Sequence, residues 1–193
     1  MNINKNVFID VGYTNIKILD DNEIIIHPVK KCIKLIKNIS KKSYCFIACN
    51  NQKYLKNILK IKNSYLITWN DFVNDIKIGD EFKIEELGID LILYCYWLKQ
   101  NKINDAIVLS SGTCSVLMVI KNSELISVQI SSGFELELNS IEKIIKGINK
   151  KFSETFHHFN TEKAIYISYI NKIKGMIEIN KQNFNIDKNV YLT

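Results

Sequence analysis

The sequence predicts an α/β protein made of two similar halves that face each other across a cleft. Two stretches carry that expectation. Residues 7–17, VFIDVGYTNIK, run from a short apolar segment through a small polar turn at Gly12 into a second apolar segment. Residues 106–119, AIVLSSGTCSVLMV, repeat the order with a turn at Gly112 and Thr113. Each reads as strand–turn–strand, and two such loops in one chain point to a duplicated unit.

The first loop has the residue types that phosphate handling needs. Without a Cβ at Gly12, backbone N–H groups around it can approach an anion. Thr14 and Asn15 add neutral donors, Lys17 a cation, and Asp10 a carboxylate able to hold Mg²⁺ directly or through water. The same residues also make an ordinary β-hairpin in which Asp and Gly only shape the turn. The second loop weighs against that simpler reading.

A chain of 193 residues can bury a real core, as one domain or as two small ones. It is rich in Ile, Lys and Asn, holds one proline (Pro28) and contains no arginine. Any bound anion must therefore be met by lysine, backbone N–H or a helix terminus, never by a bidentate guanidinium. The formal charge is +6, with Lys30, Lys31, Lys34, Lys37, Lys41 and Lys42 the densest group. These lysines alternate with Cys32, Ile33, Leu35, Ile36 and Ile39 at helical spacing, which reads as a solvated face over a core stripe. No aromatics interleave with them, so a nucleic-acid surface is disfavoured. Five cysteines without CxxC spacing, no leader and no long apolar span predict reduced thiols, a cytoplasmic location and no membrane partner.

In order, residues 7–10, 16–19 and 24–27 read as a three-strand meander, its second turn carried by Asp20, Asp21 and Asn22. A helix around 30–38, a strand at 43–48, a helix at 52–59 and a strand at 65–68 complete the first half. Residues 69–85 are polar and irregular and hold the boundary between domains 1–80 and 81–193. Residues 86–100 form a largely buried helix, with Leu87, Leu91, Tyr94 and Leu98 in register and Asp90 in the first turn. There Asp90 has two readings, stabilisation of the helix dipole or a catalytic role. Strands at 106–110, 115–120 and 125–130 repeat the meander, followed by helices at 135–150 and 161–179 and a strand from 189. His157 and His158 read as surface residues in a loop, and Asn160 or Thr161 as a helix cap.

The pattern resembles the type III pantothenate kinases of the actin-like superfamily, whose halves are ribonuclease H-like. The family motif D-x-G-N-T-x-x-K is met by Asp10, Val11, Gly12, Tyr13, Thr14, Asn15, Ile16 and Lys17, with Tyr13 as the departure. G-x-D-R resembles Gly88, Ile89, Asp90 and Leu91. D-x-G-(T/S)-A resembles Ser110, Ser111, Gly112, Thr113 and Cys114, and N-T-x-x-A-I is met from Asn160 to Ile165. The four motifs occur in family order across nearly the whole chain.

The resemblance implies that Asp10 through Lys17, with Gly112 and Thr113, bind ATP and that Asp10 meets Mg²⁺ through the phosphates. It implies that Gly88, Ile89, Asp90, Leu91 and Thr161 touch pantothenate, and that Asp90 is the base for its primary hydroxyl. It further implies a homodimer, and K⁺ or NH₄⁺ at the position of Ser110. Further departures stand against the pattern. Leu91 replaces an Arg, Ser110 replaces the cation-binding Asp, Ser127-Val128 replaces a Gly-Gly pair, and Ser132 replaces the proline of the following turn. The chain also stops at Thr193, where the family continues into a Gly-Gly motif and closing helices, so the second half is expected to be incomplete. Two alternatives follow from these departures: a catalytically impaired regulator of the Bvg accessory factor type, or a kinase of another small alcohol.

Overall fold

The computed structural model describes residues 5–145 and 161–193. The chain divides into two compact units, Met1–Ile76 with Asp80–Tyr96, and Lys77–Gly79 with Trp97–Thr193.

In the first unit, β1 (Asn6–Val11), β2 (Asn15–Asp20) and β3 (Glu23–Pro28) form the expected meander. The turn between β2 and β3 places Asp21 and Asn22 in the left-handed region, at φ 44° and 72°. Short polar side chains tolerate that conformation, and it gives the tight twist a two-residue hairpin needs. After α1 (Cys32–Ile39), β4 (Tyr44–Cys49) lies parallel to β1; after α2 (Gln52–Ile58), β5 (Ser64–Ile67) lies parallel to β4. The sheet order is β3-β2-β1-β4-β5.

Period-two alternation puts Val7, Ile9, Val11, Ile16, Ile18, Cys45, Ile47 and Cys49 on one face, where they pack with Cys32, Ile36 and Ile58 of the two helices. Burial raises the Cys45 and Cys49 thiols to about 11, so both are inert apolar filler at neutral pH. The opposite face carries a cross-strand row, Ile24–Leu19–Phe8–Phe46–Tyr65, one residue from each strand. Phe8 and Phe46 stack at 5.4 Å within it. Towards the β5 side, Ala48 and Ile67 on this face are covered by Ile89 and Ile92, from the start of α3 (Ile89–Gln100).

The second unit repeats the plan. β7 (Ala106–Ser111), β8 (Cys114–Lys121) and β9 (Glu124–Ser132) form an antiparallel meander, and β10 (Val190–Leu192) lies parallel to β7. The turn between β8 and β9 again has two left-handed residues, Asn122 and Ser123, at φ 52° and 63°. Helices α4 (Phe134–Glu142) and α5 (Thr161–Phe184) belong to this unit. Met176, Ile173 and Phe184 of α5 pack against Ile107, Leu109, Leu117 and Val119 of the sheet.

Residues 69–85 are more ordered than their polarity predicts. They contain two 3₁₀ turns and a short strand β6 (Lys77–Ile78) that pairs in parallel with β9 and completes the order β10-β7-β8-β9-β6. Two residues carry too little periodicity to be read as a strand. Helix α3 opens at Ile89, because residues 84–86 form a 3₁₀ turn, and α5 runs to Phe184, beyond the expected 179. Of the expected stripe Leu91 and Leu98 are buried, together with Ile92 and Cys95, whereas Leu87, which precedes α3, and Tyr94 are half-buried and Trp97 is half-exposed. His157, His158, Asn160 and the end of the helix expected at 135–150 lie outside the described residues. Among the described residues no helix is long and apolar enough to cross a membrane.

Candidate functional site

The candidate site of the first unit is at the carboxyl ends of the parallel strands β1 and β4, an edge that α/β sheets commonly use for ligands. Asp10 is the penultimate residue of β1, and its cross-strand neighbour on β2 is Lys17. Their charged atoms are 3.8 Å apart, and both side chains remain substantially exposed. Asp10 binds its proton more tightly than an ordinary carboxyl group. Desolvation is the main cause, Lys17 opposes it, and the negative charge of Asp90 adds to it. Two carboxylates from separate elements thus lie within electrostatic reach of each other.

Asp90 is held in place by its surroundings. Its Oδ1 accepts the Leu91 N–H at 3.0 Å in the first turn of α3. The Asn50 side chain, which follows β4, accepts the Ile89 N–H at 2.8 Å and so caps the same helix from a distant part of the sequence. The Asn50 backbone N–H donates to the Val11 carbonyl at 3.2 Å. The adjacent Asn51 donates its side-chain amide to the Gly12 carbonyl at 3.4 Å and accepts the Lys53 N–H as the cap of α2. The Asn50-Asn51 pair therefore joins the Asp10 hairpin, α2 and the start of α3.

Gly88 makes room for this arrangement: a Cβ there would come within 2.5 Å of the Asp90 carboxylate and 3.3 Å of the Asn50 oxygen. At Gly12 a Cβ would come 3.2 Å from the Asn15 carbonyl, which accepts the Gly12 N–H at 3.0 Å. The Gly12 N–H is therefore spent closing the turn. Val11 and Ile16 are fully buried, and Tyr13 is exposed at the tip. The Thr14 carbonyl accepts the Val29 N–H.

The remaining expected site residues are in the second unit. The loop between β7 and β8 closes through Gly112 N–H to the Cys114 carbonyl at 3.0 Å, and Gly133 N–H donates to the Thr113 carbonyl at 3.0 Å. Gly133 lies so close behind this loop that a Cβ would fall 2.0 Å from the Gly112 carbonyl oxygen. The buried Tyr169 hydroxyl of α5 is 2.8 Å from the Ser115 hydroxyl and 3.2 Å from that of Ser111. Lys172, one turn further, pairs with Glu137 of α4 and donates to the Ser132 carbonyl at 3.1 Å. Burial would raise Glu137, but the Lys172 ammonium and the Ser132 hydroxyl outweigh it, so its carboxyl lies below the usual range. Ser110 ends the buried run of β7, and Thr161 opens α5 in an exposed position.

The sequence reading missed Asn50, Asn51, Gly133 and Tyr169. An Asn-Asn pair directly between a predicted strand and a predicted helix was a usable signal. Tyr169 gave none, since it sits in an ordinary apolar stripe. Leu91, placed in the substrate set by resemblance, is buried at 6% exposure. Among the described residues no group of three or more His, Cys, Asp or Glu could hold a metal ion.

No family model matches the chain, and no curated protein sequence matches it. Among solved structures, a Campylobacter jejuni protein assigned to the Baf family of transcriptional activators superposes with a TM-score of 0.67 at 18% identity, covering 97% of this chain and 90% of that one. The chain shares the fold of that protein, with two α/β units that each carry a five-stranded sheet of the actin-like, ribonuclease H-like kind. The ethanolamine utilization protein EutJ of Carboxydothermus hydrogenoformans superposes at 0.47, with 12% identity, 97% of this chain and 75% of that one. A Ppx/GppA family member of Aquifex aeolicus superposes at 0.33, with 12% identity, 74% of this chain and 55% of that one.

Proposed function

We propose that the chain is a cytoplasmic ATP-dependent phosphotransferase of the type III pantothenate kinase kind, acting on the primary hydroxyl of pantothenate. The observation that supports this reading is the convergence of Asp10 and Asp90, with Lys17 beside Asp10. In this reading Asp90 accepts the hydroxyl proton as the substrate oxygen bonds to the γ-phosphorus. The bond from that phosphorus to the bridging oxygen breaks, and ADP leaves. Lys17 and the donors of residues 13–15 hold the phosphates.

Asp10, whose proton affinity is raised by desolvation and by the charge of Asp90 and which lies beside Lys17, fits a Mg²⁺ ion shared with ATP. Mg²⁺ is commonly bound by one or two carboxylates plus phosphate oxygens. When bound, the ion neutralises phosphate charge.

A second reading is a regulator that has lost catalysis. It is favoured by the Baf family assignment of the Campylobacter jejuni protein and by an apolar, buried Leu91 where the kinases carry a cation. The deciding experiment is a mass-spectrometric assay for phosphopantothenate with wild-type and Asp90→Asn protein, with and without potassium. Product that falls about 10²–10⁴-fold in the variant supports the kinase. Well-folded wild-type protein that forms no product supports the regulator.

A further inference from the structure

The strand β3 forms one edge of the first sheet, and among the described residues no strand pairs with its outer side. The second unit shows what such an edge accepts. There β9 occupies the matching place after the matching two-residue turn, so Glu124 and Leu125 correspond to Glu23 and Ile24. β6 covers that edge: Lys77 and Ile78 lie beside Glu124 and Leu125, and the Gly79 N–H donates to the Leu125 carbonyl at 2.9 Å. Leu125 is 1% exposed, whereas Ile24, Ile25 and Ile26 are 66%, 41% and 57% exposed. Edge strands are ordinarily guarded by charge, proline or a covering element, and three consecutive exposed isoleucines are the opposite of a guard.

The register of β3 fixes which backbone groups are available. In a two-residue hairpin the pair that closes the turn, Asp20 and Glu23, is hydrogen-bonded. Alternation then directs Glu23, Ile25 and His27 towards β2 and turns the N–H and C=O of Ile24 and Ile26 outward. Pro28 has no N–H and ends the ladder.

The charge along the edge is also polar. The turn end carries Asp20, Asp21 and Glu23, with Lys5 paired to both aspartates, so it stays net negative. The far end runs into Lys30 and Lys31.

We propose that β3 pairs with β3 of a second copy of this chain, antiparallel about a two-fold axis through Ile25. In that register Ile24 exchanges both backbone hydrogen bonds with the partner's Ile26, and Ile26 does the same with the partner's Ile24. The acidic turn of each copy comes beside the Lys30-Lys31 turn of the other. A parallel arrangement would instead set like charges against each other. The surface is independent of the kinase reading and stands whether or not the chain transfers phosphate.

Sedimentation velocity of the full chain across micromolar concentrations tests it, with circular dichroism melts confirming that each variant is folded. Wild-type protein should sediment as a dimer. The double variant Ile24→Lys, Ile26→Lys places lysine against lysine twice and should weaken association about tenfold or more. Ile24→Glu, Ile26→Lys places glutamate against lysine twice and should restore the dimer. A wild-type monomer throughout overturns the proposal and leaves the edge to a strand of another protein. A dimer that both variants retain overturns it in favour of a surface away from β3. A charge-paired variant that stays monomeric overturns the two-fold register.

Discussion

The two strand–turn–strand loops share a backbone plan and differ in what surrounds them. The first carries charge: Asp10 and Lys17 face each other across β1 and β2, with the Asp90 carboxylate within reach. The second is neutral at the corresponding strand end, where Ser110 pairs with Val116, and Leu117 beyond it is fully buried. What the second loop has instead is support. Gly133 lies directly behind it, Tyr169 ties Ser111 to Ser115, and the Lys172–Glu137 pair braces Ser132. A duplicated hairpin can thus carry a charged strand end in one unit and a neutral, braced one in the other, because its side chains are set independently of its turn. The first loop is held instead through Asn50 and Asn51, which donate to the Val11 and Gly12 carbonyls.

The largest effect that would break this comparison is on catalysis. Asp90→Asn should cost about 10²–10⁴-fold in phosphate transfer, whereas Ser110→Ala in the neutral loop should leave the rate within a few-fold, both measured under the same assay. Next comes the brace of the second loop. Gly133→Ala sets a methyl group against the Gly112 and Thr113 carbonyls, 2.0 Å and 2.7 Å away, where backbone must move. A loss of about 1–3 kcal/mol or more in urea unfolding is expected; an unchanged midpoint would mean that the loop is not braced there.

A smaller effect belongs to the first loop's brace. Asn50→Ala removes the acceptor of the Ile89 N–H and should cost about 0.5–2 kcal/mol, while Asn50→Asp, which keeps an acceptor, should recover most of it. Turnover should fall in the alanine variant even at temperatures where it is fully folded, since Asp90 sits on the turn that Asn50 caps.

The smallest concerns the charge itself. The folded-state pKa of Asp10 is raised, so at neutral pH its ionised form is held against a desolvation cost. Asp10→Asn should therefore melt slightly higher than wild type at pH 7. As pH falls through the raised folded pKa towards the unfolded value, the folded wild type takes up its proton first and the gap should close. A gap that widens on acidification would reverse the assignment. The same substitution should abolish Mg²⁺-dependent nucleotide binding, which separates stability from function.

Much of the fold was legible because its signals are local. Alternation in residues 7–10 and 16–19, left-handed turns at polar residues, and amphipathic spacing in 30–38 each act over a few residues. The short β6 escaped because its reason to exist is not in its own two residues but in the uncovered outer side of β9. The site divided in the same way. Asp10, Gly12 and Lys17 share one hairpin and could be read together; Asn50 acts on a helix 39 positions further along the chain, and only folding brings them to each other.

By itself the sequence determined the duplicated meander, the charged first loop and the neutral second one, because hydrophobic period and turn chemistry are properties of neighbours along the chain. The tertiary structure decided which of these residues work together. The parallel pairing of β1 with β4 brings Asn50 and Asn51 to the end of the Asp10 hairpin, the cap from Asn50 fixes the start of α3, and Tyr169 reaches the second loop from α5. The physical reason is range. Backbone propensity is settled within a few residues, whereas desolvation of a carboxylate, capping by a remote amide and burial of a hydroxyl depend on what the whole chain packs around them.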